Sequence, residues 1–185
     1  MRIHILAINN IGVGLSGGDS IWINLAKRWD NTLVWGSRQA LETYGHGGME
    51  VCDYTPKSVF SKWGIFTNTI VKLFKGTWFI MRYRDQFNEG DIIYSVSDFF
   101  PDFVPALLIK LIRPHVKWVA GFFLFCPSPI QDNSPYRHDL CRGIGYWLMQ
   151  RVSYPLIKKY ADVVFVTSDI DKDKFPNTVV VKGGV

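Results

Sequence analysis

Cysteine is scarce in this chain. Cys52, Cys126 and Cys141 are odd in number and widely spaced, which excludes a disulfide framework and matches no metal-ligand pattern. They read as free, partly buried thiols. No apolar run approaches the roughly 18 to 20 residues that a spanning helix requires, and the strongest candidate, Trp118 to Cys126, is far shorter. Met1-Arg2 followed by Ile3 to Ile8 imitates the start of a signal peptide, but no small-residue cleavage site follows cleanly. The segment reads better as a first strand, and a cytoplasmic protein is the expectation. Internal repeats and low-complexity tracts are missing. No dense basic stripe or nucleic-acid module is present, so nucleic acid is not expected as a partner. The formal charge of +5 is modest. It favours phosphates, whether on a nucleotide or on an anionic lipid surface, without choosing between them.

What the chain does have is apolar material in a regular order. Nearly half of its 185 residues are apolar, enough for a substantial core. Ile3 to Ile8 reads as a strand, and roughly Asp19 to Trp29 as a helix with Ile21, Leu25, Ala26 and Trp29 near helical spacing. Asp19 or Ser20 is the expected cap of that helix. Thr32 to Gly36 is a short strand. A glycine cluster, Gly45-His46-Gly47-Gly48, precedes a weaker strand from Met49 to Tyr54. Phe60 to Phe87 reads as helical, Ile92 to Val96 as a buried strand, and Pro101 to about Ile112 as a helix. Lys117 to Phe123 is a strand. The loop Cys126-Pro127-Ser128-Pro129 leads to a long helix from about Tyr136 to Tyr160. Asp162 to Thr167 and Val179 to Val181 are the last strands. Continuous apolar strands separated by helices indicate an α/β fold with a doubly wound, Rossmann-like parallel sheet covered on both faces.

In such sheets ligands bind beyond the carboxyl ends of the strands. The loop Asn9 to Gly18 falls at that edge. Its glycines let backbone approach a ligand, and the amides opening the next helix favour an anion. A phosphate-facing loop and a merely structural glycine turn are both consistent with these residues. Gly12-Val13-Gly14-Leu15-Ser16-Gly17 matches G-x-G-x-x-G, but the loop is longer than a tight dinucleotide turn. Trp35-Gly36-Ser37 also stands where an acidic residue would hold a ribose.

The strand, the loop Ser16-Gly17-Gly18-Asp19 and the helix containing Asn24-Leu25-Ala26-Lys27-Arg28-Trp29 resemble the opening of retaining glycosyltransferases of the GT-B fold, family four. Asp91-Ile92-Ile93-Tyr94-Ser95 and Ala161-Asp162-Val163-Val164-Phe165-Val166-Thr167-Ser168 follow in the family's order. Val179-Val180-Val181-Lys182-Gly183-Gly184-Val185 looks like its strand into the interdomain hinge. The resemblance spans almost the whole chain. It implies that residues 1–185 form the acceptor-side, amino-terminal lobe of a two-lobe enzyme whose donor-holding, carboxy-terminal lobe is absent. The implied reaction moves a sugar from a nucleotide-sugar donor to a hydroxyl acceptor, with no metal or other cofactor, and with little turnover by this lobe alone. Gly17 and Gly18, with Asp19 beside them, are implied to face the donor phosphates. Asp98 and Asp102 follow a strand end and are candidates to meet an acceptor hydroxyl, with helix capping as the alternative role. Relatives place a histidine after the strand equivalent to Lys117 to Phe123. Here Gly121-Phe122-Phe123-Leu124-Phe125 stands there, and the nearest later histidine is His138, a catalytic candidate or a solvated loop residue.

Residues 63–87 mix Trp63, Phe66, Ile70, Phe74 and Trp78 with Lys72, Lys75 and Arg82. Helical spacing sets the two groups on different faces, which suits either an anionic membrane surface or packing on the sheet with the lysines in water. Gly76 interrupts the pattern. Two further functions stay open on these residues. One is a non-catalytic module that docks a partner lobe, and the other is a dinucleotide-binding protein.

Overall fold

Each apolar run expected to be extended forms a strand, and all seven strands join one sheet. The computed structural model describes residues 1–9, 17–37, 42, 50–53, 65–131, 134, 136 and 138–182. Its strands are β1 (Ile3–Ala7), β2 (Thr32–Gly36), β3 (Glu50–Asp53), β4 (Ile92–Ser95), β5 (Lys117–Gly121), β6 (Val163–Val166) and β7 (Thr178–Val180). Their order is β3-β2-β1-β4-β5-β6-β7, with every neighbouring pair parallel. The helices are α1 (Gly17–Ala26), α2 (Ile65–Arg82), α3 (Phe100–Ile112) and α4 (Leu140–Tyr160).

Strand alternation divides the core in two. Ile3, Ile5 and Ala7 of β1 join Val34 and Tyr94 beneath Trp22, Ile23 and Ala26 of α1. Leu6, Leu33, Trp35, Ile93 and Trp118 face the other way, against Ile80 of α2, Phe103 and Ala106 of α3, and Ile157 of α4. Three fully buried tryptophans each find a polar partner, as buried indoles require. The Nε1 of Trp35 donates to His4 Nδ1 at 3.2 Å, that of Trp118 to Ser95 Oγ at 3.0 Å, and that of Trp22 to Asp19 Oδ1 at 3.2 Å.

Several boundaries differ from the sequence expectation. Helix α1 starts two residues earlier, so Asp19 lies in its first turn and accepts from Trp22. Helix α4 starts at Leu140 because the Asp139 side chain accepts from the Arg142 amide at 3.1 Å and caps it there. Neither Asp98 nor Asp102 caps α3. Its cap position is Phe99, with no side-chain hydrogen bond, and Pro101 opens the first turn. Cys141 is exposed rather than partly buried, while Cys126 is half-buried. Lys72 is buried rather than lying in water, so the basic face expected on α2 is broken. Gly76 has a packing reason: a Cβ there would lie 2.5 Å from Ile8 Cγ2. The Gly45 to Gly48 cluster, Trp63 and Gly183 to Val185 lie outside the described residues.

Candidate functional site

The chain order sends β1 to β2 on one side and β4 to β5 on the other, so β1 and β4 flank the switch point of the sheet. Parallel sheets open a crevice at such a point, at the carboxyl ends of the strands. A cleft of about 590 Å³ lies there. Its lining includes Gly18 and Asp19 from the start of α1, Asp98 and Asp102 after β4, Cys126 after β5, and Gln150 of α4.

Asp98 is buried, and its one side-chain partner is Gln150, whose Nε2 donates to Oδ2 at 2.8 Å. Burial pushes its carboxyl up to about 6, against the opposing effect of that hydrogen bond. The Gln150 amide is fully engaged. Nε2 also donates to Leu124 O at 2.7 Å, and Oε1 accepts from the Cys126 amide at 2.7 Å. One side chain of α4 thereby fixes both the acid and the loop after β5.

Asp102 is built differently. It accepts from Ser97 Oγ and, at 2.8 Å, from the Asn9 amide. Lys72 reaches in from α2, and its Nζ donates to Asn9 O at 2.5 Å. Burial raises Asp102 to about 7 despite those donors and the Lys72 charge, and burial lowers Lys72. The Asn9 backbone, just after β1, is thus held at its amide and at its carbonyl by buried ionisable side chains from two helices.

The remaining wall is aromatic. Tyr146 of α4 meets Phe99 edge-on with centroids 5.3 Å apart and Tyr136 at 5.8 Å, and Arg142 lies over its ring at 5.4 Å. Cys126 lines the cleft with Tyr136; its thiol donates to Pro127 O at 3.5 Å, and burial raises it. Rings with a guanidinium and carboxyls beside them suit a polar ligand with apolar faces, such as a saccharide. Among the described residues, no three His, Cys, Asp or Glu side chains converge as metal ligands.

The structure brings Gly18, Asp19, Asp98 and Asp102 into one cleft. Gly17 is exposed beside it, with open space where a Cβ would stand. His138 is exposed and is not among the cleft-lining residues. Most of the glycine motif, Gly12 to Ser16, lies outside the described residues. Sequence reasoning missed Gln150, Tyr136, Arg142, Tyr146 and Lys72; Gln150, Lys72 and Tyr146 meet partners distant in the chain, Asp98, Asn9 and Phe99.

Comparison of the whole fold adds the class. No family model matches the sequence, and no curated protein matches it significantly. Among solved structures, the chain is similar to Anabaena Alr3699/HepE, solved in complex with UDP, with a TM-score of 0.58 and 17% identity. The same protein with UDP and glucose gives 0.58 and 18%, and CalG4, the calicheamicin glycosyltransferase, gives 0.50 and 14%. All of this chain is covered in each case, but only 44%, 45% and 52% of those chains. The chain therefore spans about half the length of the structures it matches. Its fold is the Rossmann-like α/β fold of GT-B glycosyltransferases.

Proposed function

We propose that this chain is the acceptor-side lobe of a retaining, family-four-type glycosyltransferase, which moves a sugar from a nucleotide-sugar donor to a hydroxyl acceptor. The observation that carries the reading is the meeting, in one switch-point cleft, of Asp98 with the start of α1. The helix N-terminus offers amides and a partial positive charge to the donor diphosphate, with Gly18 in the cleft lining and Gly17 leaving open space beside it. Asp98, ionised above about pH 6, accepts the hydrogen bond of the acceptor hydroxyl and aims its oxygen into the cleft. Tyr136 and Tyr146 line the path of the acceptor's apolar face. A second lobe closes the cleft, excludes water and holds the donor's base and sugar, so the 185 residues alone turn over little. The reading needs no metal, and it puts the protein in the cytoplasm, with residues 63–87 meeting an anionic lipid surface. No helix among the described residues is long and apolar enough to cross a membrane.

The test is a titration of the ¹⁵N-labelled chain with UDP and, separately, with NAD. UDP should move the amide signals of Gly18, Asp19 and Val96 to Phe99, while NAD leaves them in place. The reverse pattern makes this a dinucleotide-binding protein. Silence with UDP, together with co-purification of a second polypeptide, makes it a docking module.

A further inference from the structure

Helices α2, α3 and α4 lie side by side on one face of the sheet, and their outer surface has a composition unlike the rest of the molecule. Ile70, Phe74 and Trp78 form a row at four-residue spacing along α2, with Phe74 71% and Trp78 63% exposed. Their row lies opposite the buried Lys72, Gly76 and Ile80. Along α4 a second row, Leu140, Ile144, Leu148 and Val152, is exposed at the same spacing, opposite the buried Met149, Ser153 and Ile157. Leu111 and Ile112 are exposed at the end of α3 between them. Scattered apolar side chains are ordinary on a surface, but aligned rows on neighbouring helices are not.

Charge decides what covers them. The three helices contain one acidic residue, Asp102, and it is buried in the cleft. Arg82, Arg151, Lys158 and Lys159 are exposed on α2 and α4. Aromatic rings carry these cations: Arg82 lies 5.5 Å from the Trp78 ring, Arg151 4.5 Å from Trp147, and Lys159 4.9 Å from Tyr160. Apolar rows edged by aromatic–cation pairs, with no exposed acid within the three helices and exposed Asp85 and Asp139 only beyond their ends, where Asp85 pairs with Arg113, complement an anionic bilayer interface. A second copy docked about a two-fold axis would bring this predominantly cationic surface against itself, cation facing cation.

We infer that the outer face of the α2-α3-α4 layer is a membrane-docking surface for anionic lipid. It extends to three helices the lipid contact proposed for residues 63–87, and it is independent of sugar transfer, so a failed UDP titration leaves it standing. The test is flotation of the full chain with vesicles of phosphatidylcholine containing about one-third phosphatidylglycerol, against phosphatidylcholine alone, at low and high salt. Binding is expected with the anionic vesicles only, and it should weaken with salt. Phe74→Ser/Trp78→Ser and Leu148→Ser/Val152→Ser should each lower the partition about tenfold, as should Arg82→Glu/Arg151→Glu, with unchanged circular dichroism. The inference is overturned if wild type does not float or if the α4 variants bind like wild type. It is equally overturned if sedimentation shows concentration-dependent self-association that the same substitutions abolish, which would make the surface a contact between copies.

Discussion

Asp98 shows how one buried carboxyl couples the cleft to stability. Unfolded, it titrates near the ordinary 3.8; folded, near 6. A carboxyl raised in this way favours the folded state below the unfolded value and loses that advantage as pH rises through the folded one. Above pH 7 the ionised, buried Asp98 therefore costs on the order of 2 to 3 kcal/mol. Asp98→Asn keeps an oxygen for Gln150 and removes the charge. The variant should unfold in urea about 2 kcal/mol later than wild type at pH 7.5 and at nearly the same point at pH 4. Equal stability at both pH values would show that the carboxyl is hydrated. Gln150→Leu is the converse case. It strands Asp98, the Leu124 carbonyl and the Cys126 amide together, and a loss of about 2 to 4 kcal/mol is expected in the same measurement.

Among the elements, α2 is the one whose seat depends on a missing side chain. Gly76 lets the helix lie against Ile8 at the end of β1, and a Cβ there would meet Ile8 Cγ2 at 2.5 Å. Gly76→Ala gains up to about 1 kcal/mol of helix propensity but forces the helix off the strand, at about 1 to 3 kcal/mol. Net destabilisation by urea is expected. Adding Ile8→Ala, which deletes the offending methyl, should make the double variant more stable than the sum of the single effects. Strict additivity would show that the contact is slack. The same helix shows which features were legible beforehand. Strands such as Ile3 to Ala7 and Ile92 to Ser95 are buried on both faces, so their apolar runs announced them, and Asp98 and Asp102 were recognisable as acids following a strand. Lys72 was not legible as a site residue, because its meaning lies in Asn9, 63 positions away. Gln150 lies 52 positions from Asp98 in the same way. Spacing rules report local faces, whereas these contacts exist only once the sheet has brought three helices together. Helix capping by Asp98 and Asp102 was a sound local inference that tertiary partners overrode.

The whole molecule carries opposed titrations on its two edges. At the carboxyl edge Asp98 and Asp102 are raised to about 6 and about 7. At the amino edge, buried His4 is held below its usual value by desolvation. Its Nδ1 already accepts from Trp35, and its Nε2 lies 3.5 Å from Asp91. Burial works to raise Asp91, but the amides of Asn88 and Arg2, together with His4, hold it below the ordinary range. Asp162 is likewise raised by burial but held low overall by Lys110 and the Trp118 amide. The signs follow. The two cleft acids contribute stability that is lost as pH rises through 6 to 7. His4 contributes stability that is present above 6.5 and is lost as pH falls below it, and Asp91 and Asp162 contribute stability that is lost only below 3.8. Between pH 4 and 6 two acids outweigh one histidine, so the melting temperature should peak at roughly pH 4, fall toward neutrality, and fall again below 3.8 as Asp91 and Asp162 protonate. Asp98→Asn/Asp102→Asn should flatten the alkaline descent while leaving the acid limb in place. A wild-type melting temperature that climbs steadily from pH 5 to pH 8 would mean that water reaches both carboxyls. The cleft would then lack the buried acid on which acceptor recognition by Asp98 depends.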